Sequence, residues 1–130
     1  MSAPYASKEA ALHAFWTSFG IAARNELSVP DDALALFGGH YIAYNAPIAS
    51  LGEPIPIYGN LYYKDTSWEA ITAKRKEIEA AIGRDGVRIP FDGGILWIVK
   101  GVPFSEPRQD VDDTVRSIYI NLTAEYVSAN

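Results

Sequence analysis

From Arg116 to Tyr126 the chain alternates without a break. Arg116, Ile118, Ile120, Leu122, Ala124 and Tyr126 fall on one side of an extended backbone, and Ser117, Tyr119, Asn121, Thr123 and Glu125 fall on the other. Successive side chains of a strand point to opposite faces, so this stretch reads as a strand with one buried face and one polar face. A fold built around it needs something apolar on one side of a sheet. The other side is left to water or to a neighbouring subunit.

The cover is supplied by two helical patterns. Ser7 can cap a first helix, in which Leu12, Phe15, Trp16 and Phe19 recur at helical spacing until Gly20, a residue that tolerates the left-handed turn at a helix end. The stretch TSWEAITAKRKEIEAAIG carries the stronger pattern. Thr66 and Glu69 have capping-box spacing, Trp68, Ile71, Arg75, Ile78 and Ile82 recur three or four apart, and Gly83 stops the run. Arg75 on that apolar face can lay its stem along the surface and keep its head in water.

Between and after the helices lie strand signals. HYIAYNA (40–46) and a second run within IPIYGNLYYKD (55–65) read as strands, the second starting at an edge or bulge because Pro54 and Pro56 cannot donate ladder hydrogen bonds. GVRIPFDGG and ILWIVKG read as a hairpin turning at Asp92-Gly93-Gly94. ILWIV is apolar throughout, as expected of a strand covered on both faces. Residues 24–39 read as an irregular connection holding one helical turn after Pro30-Asp31-Asp32. Residues 100–113, KGVPFSEPRQDVDD, read as a Pro-rich loop. The expected order is helix, two strands, helix, three strands. This is one α+β domain over residues 1–130, with a largely antiparallel or mixed sheet and two helices packed on one face.

Composition narrows the function. A chain of 130 residues suffices for one domain with one core, and it has no cysteine, which removes disulfides, thiolate nucleophiles and thiolate metal sites. No apolar run approaches the roughly 20 residues that span a bilayer, and MSAPYASKEAALHAFW is not expected to act as a secretory signal. The net charge of −5 works against nucleic-acid binding, which rests on neutralising phosphates. The one basic run, Lys74-Arg75-Lys76, is interleaved with Glu77 and Glu79 as on a solvated helical face.

The acids at the end of the 100–113 stretch, Asp110, Asp112 and Asp113, can hold a metal, carry acid–base chemistry, solvate a turn or meet a partner. A calcium loop of the EF-hand kind needs a glycine at its sixth position and a glutamate at its twelfth; counted from Asp110 these are Val115 and Asn121. His13 and His40 are the only histidines and lack a ligand-pair spacing. No nucleophile elbow, phosphate loop or dinucleotide fingerprint occurs. A non-enzymatic role without a cofactor is the expectation, against a small metal-dependent enzyme using Asp110, Asp112 and His40.

An ordered series of short motifs goes further. It runs Phe15-Trp16, Phe19-Gly20, Ser28-Val29-Pro30, Tyr41 to Tyr44, Leu61-Tyr62-Tyr63, Thr66-Ser67-Trp68 and Glu77-Ile78. It continues through Pro90 to Gly94, Leu96 to Gly101, Pro103-Phe104, Asp112-Asp113, Arg116 to Leu122 and Ala124-Glu125-Tyr126. In this order the chain resembles the short minor capsid or tail proteins of tailed bacteriophages and prophages, similar to the tail terminators of long-tailed phages with non-contractile tails. The resemblance covers nearly the whole chain and is most specific from Asp92 to Tyr126. Two departures fall in that stretch: Arg116-Ser117 stands where relatives commonly carry two arginines, and Glu106-Pro107 replaces a more usual polar or basic pair.

The resemblance implies a virion protein, assembled in the bacterial cytoplasm, that forms a ring, usually a hexamer, on the head-proximal end of the tail tube. Its partners are its own copies, the tail tube protein and the head connector, and DNA passes through the lumen without specific binding. The alternative within the virion is a head-closure adaptor on the connector side. A ring needs two different complementary patches on each subunit. The expected interface set is Pro103, Phe104, Arg108, Asp110, Asp112, Asp113 and Arg116, with Phe104 as an apolar anchor on a stiff loop and the aspartates paired with bases on a neighbour. Acids facing a lumen would keep DNA from sticking.

Overall fold

The computed structural model describes residues 4–47, 52–109 and 112–128. Ten elements follow in order: α1 (Lys8–Thr17), β1 (Ala22–Asn25), a 3-10 turn (Glu26–Ser28), α2 (Ala33–Leu36), β2 (His40–Tyr44), β3 (Pro54–Lys64), α3 (Glu69–Ile82), β4 (Val87–Phe91), β5 (Gly94–Arg108) and β6 (Val115–Ser128). The strands make one six-stranded sheet in the order β1-β2-β3-β6-β5-β4. The β1–β2 pair is parallel and every other neighbouring pair is antiparallel. The fold is thus the expected single α+β unit. No helix among the described residues is long and apolar enough to cross a membrane.

The alternation of the last strand is realised from Ile118 to Tyr126, whereas at its start Ser117, expected on the polar face, is buried and Arg116, expected on the buried face, is half-open. Ile118, Ile120, Leu122, Ala124 and Tyr126 are buried, whereas Tyr119, Asn121, Thr123 and Glu125 are partly open. Ile57 and Leu61 of β3 and Leu96 and Ile98 of β5 join them on the core face. On that face lie Leu12, Phe15 and Trp16 of α1 and Ile71, Ile78 and Ile82 of α3. Ser7 caps α1 by accepting a hydrogen bond from the Ala10 amide at 3.1 Å. Gly83 ends α3 with φ at +68°, a conformation that glycine adopts without steric cost.

Trp16 is completely buried and lies flat against the sheet, stacked on Tyr44 with ring centroids 6.2 Å apart. It can reach that depth because Gly59 lies beneath it. A Cβ at position 59 would sit 2.6 Å from Cη2 and 2.8 Å from Cζ3 of the indole. Burial also acts on Tyr126: loss of hydration, and then the nearby Glu9 carboxylate, push its hydroxyl up to about 12, so it stays neutral in the core.

Four details differ from the sequence reading. Residues 22–25, of which 24 and 25 begin the stretch expected to be irregular and 22 and 23 fall outside every expected element, form β1 against β2, satisfying their backbone through parallel pairing. The capping box at Thr66 and Glu69 does not form. Trp68 holds the N-cap position of α3 without a side-chain bond, and the chain enters through two successive turns, in which Asp65 Oδ1 accepts from Ser67 N and Ser67 Oγ from Glu69 N. The ILWIV strand is covered on one face only, with Ile95 39 % exposed. The Pro-rich stretch from residue 100 is not a loop: β5 continues to Arg108, interrupted by a bulge between Lys100 and Ser105 that holds the cis Val102–Pro103 peptide. β4 begins at Val87 opposite Ile98, so among the described residues β5 beyond that point has a strand neighbour on one side only, where prolines are tolerated.

Substituting Gly59→Ala forces the added methyl against the Trp16 ring and is expected to cost about 1–3 kcal/mol. Urea denaturation followed by tryptophan fluorescence checks this; an unchanged midpoint would mean that the indole has room to move.

Candidate functional site

The β5–β6 hairpin carries the expected interface residues. It pairs Gly94 with Ser128 at one end and Arg108 with Ser117 at the other, and residues 109–114 connect its strands. Asp110 lies outside the described residues. Asp112 is exposed, but its carboxylate is engaged. Oδ1 accepts from the Thr114 amide at 2.8 Å and from Thr114 Oγ1 at 2.7 Å, and Oδ2 lies 3.7 Å from Lys64 Nζ. These hydrogen bonds from Thr114, helped by the Lys64 charge, hold the Asp112 carboxyl below the usual aspartate range. Lys64 also donates to Thr114 Oγ1 at 2.7 Å, which ties the end of β3 to the hairpin connection.

Arg116 gathers residues distant in the chain. Its Nη1 donates to the Asp113 carbonyl at 3.0 Å and its Nη2 to the Thr66 carbonyl at 2.6 Å, while the guanidinium lies 5.4 Å from the centre of the Trp68 ring. Its Nε is buried and has no partner among the described residues. Around Trp68, which is 40 % exposed, two recesses open. One, of about 270 Å³, is bordered by Arg108, Asp112, Asp113 and Arg116. The other, of about 450 Å³, is bordered by Thr72, Arg75, Ser105 and Ile118. Trp68 and Pro107 line both.

The bulge has its own supports. Asn121 donates through Nδ2 to the Pro103 carbonyl at 3.2 Å. Phe104 is half-buried and packs against the core cluster, so it helps to hold the bulge to the body of the domain. The bulge offers Pro103 and, above all, Val102, 95 % exposed, to solvent.

Sequence reasoning did not identify the organisation of the open sheet face. Tyr58 of β3 and Tyr119 of β6 stack at 5.3 Å, and the Arg108 guanidinium lies 4.5 Å from the centre of the Tyr119 ring. Glu26 accepts from the Tyr58 hydroxyl at 2.6 Å, and Glu106 pairs with Arg108 at 3.0 Å. The bond to Glu26 is the main cause that pushes the Tyr58 hydroxyl up to about 12. The result is a row of acid, two rings, cation and acid running across three strands. Its signal was present in the alternate Tyr58, Asn60 and Tyr62 of β3, which share the open face with Tyr119 and Asn121. α2 lies on this same side, since Phe37 follows it and packs on Arg24 at 4.9 Å and Tyr41 at 6.0 Å.

The histidines do not join the hairpin acids in a shared cluster. His13 Nδ1 bonds the Tyr44 hydroxyl at 2.8 Å, and His40 stacks on Tyr63 at 5.1 Å. Among the described residues, no three acids or histidines converge as metal ligands would. What the hairpin offers is a stiffened surface with apolar recesses and guanidinium groups along their margins. Compared with protein-family models, curated proteins and solved structures, the chain finds no match.

The packing of Phe104 and the exposure of Val102 separate stability from surface contact. Phe104→Ala is expected to cost about 1–2 kcal/mol from lost apolar burial, whereas Val102→Asp is expected to leave the urea midpoint unchanged. Equal midpoints for Phe104→Ala and the parent chain would contradict the packing role.

Proposed function

We propose that this chain is a tail terminator: a virion protein that assembles as a ring, usually a hexamer, on the head-proximal end of a non-contractile tail tube. It stops tube growth and offers the surface that joins the head connector. The observation that supports the reading is convergence. Two stretches far apart in the chain, one with Leu61-Tyr62-Tyr63 and Thr66-Ser67-Trp68 and the other with Asp112-Asp113 and Arg116-Ser117, meet at one end of the molecule through the pairing of β3 with β6 and the Arg116 and Lys64 hydrogen bonds. Residues that carry the resemblance in sequence order and also share one surface are what a subunit contact would require. The function is structural, without a cofactor; Asp112 is committed to its turn and Arg116 to backbone carbonyls. With a net charge of −5, the subunit also suits a passage through which DNA slides without sticking.

The test is negative-stain microscopy of particles from a producing phage or prophage in which the gene is deleted. Overlong, irregular tubes separate from filled heads are expected. Tails of normal length detached from filled heads would move the protein to head closure, and intact virions would remove both structural roles.

A further inference from the structure

The two recesses adjoin at Trp68 and Pro107, which line both, and together they make up a Trp68 groove. It runs between the start of α3 and the part of β5 that has no strand neighbour beyond β6. Its walls include apolar surface from Trp68, Pro107 and Ile118, and three guanidinium groups, Arg75, Arg108 and Arg116, stand along it. Asp112 and Asp113 lie at one end, the former engaged by Thr114 and Lys64. A groove of this kind suits an apolar side chain flanked by carboxylates.

The chain carries such a segment on the open face of its sheet, where α2 packs on β2 and β3. No lysine or arginine occurs between Arg24 and Lys64. Within that span, α2 and the turn before it present Asp31 and Asp32, both exposed, and Leu36, which is 61 % exposed. Asp32 occupies the N-cap of α2 yet makes no capping bond, so its carboxylate has no task in holding the helix. Residues four apart share one helical face, which puts Asp32 and Leu36 on the same side.

We propose that α2 of one copy docks in the Trp68 groove of the next, with Leu36 against Trp68 and Asp31 and Asp32 toward Arg108 and Arg75. The two patches are different surfaces of the chain, so the contact is heterologous and can continue from copy to copy until a ring closes. This deepens the ring reading above by naming its contact, and its test reads self-association in place of capping.

The full chain is examined by sedimentation velocity at about millimolar concentration, near the weak end of specific contacts. The parent chain is expected to sediment as a species larger than a dimer. Leu36→Arg destroys the inserted patch, and Trp68→Ala or Arg108→Glu destroys the groove; each variant alone is expected to be monomeric with an unchanged circular dichroism spectrum. An equal mixture of Leu36→Arg with either groove variant retains one good contact per pair and is expected to stop at heterodimers. Each of three results overturns the contact: a monomeric parent, assemblies that survive both classes of substitution, or a mixture that stays monomeric. A parent chain that caps tubes yet sediments as a monomer overturns the contact and leaves the capping role standing.

Discussion

Strand β6 is the constraint on which the rest depends. It pairs with β3 from Val115 to Glu125 and with β5 over most of the stretch from Ser117 to Ser128, so its backbone is engaged on both sides. A strand held this way has a fixed register, and a fixed register decides which face every side chain takes. Its core face gathers the helices. Its open face sets Tyr119 between Tyr58 and Arg108 and aims Asn121 at the bulge, while Arg116, on the core side at the end of the sheet, reaches the entry to α3. Structure and candidate surface are therefore two sides of one strand.

The two long helices share a single face, and among the described residues it is the short 3-10 turn and α2 that come to the other. That asymmetry explains why the open face keeps rings and charges in an ordered row without becoming a second core. It also explains the shape of β5. Past Ile98 the strand loses its outer neighbour, and an unpaired edge invites indiscriminate pairing with other chains. The bulge, Pro103, Pro107 and the charges of Lys100, Glu106 and Arg108 all fall on that unpaired portion. They discourage open-ended strand addition, leaving side-chain recesses such as those around Trp68 for contact with a partner.

Much of this was legible in the sequence. The period-two pattern of β6 and the three-to-four spacing in α1 and α3 report burial directly, because each side chain's exposure follows from its place in a regular repeat. β1 was not legible: four residues, Ala22-Ala23-Arg24-Asn25, are too few to show a period, and their strand state comes from pairing with β2. The second half of β5 was hidden by its prolines, which signal a loop unless one knows that the neighbouring strand has already ended. Of the expected interface residues, Arg108, Asp112, Asp113 and Arg116 meet around Trp68, while Phe104 also packs inward and Pro103 is held by Asn121. Asp110 falls outside the described residues. Trp68 itself was read as one residue of an apolar helical face. Its place between two recesses depends on β5 and β6, which no local pattern encodes.

The account's central claim is that the hairpin end and the Trp68 groove form a contact surface between subunits at the head-proximal end of a tail. The most direct measurement is a cryo-electron microscopy reconstruction of that region in an intact particle. The account predicts a closed ring of this chain on the last tube layer, with the Trp68 groove of each copy filled by α2 of its neighbour. A ring whose Trp68 grooves all face solvent, or a reconstruction in which the chain sits only on the connector, would contradict it.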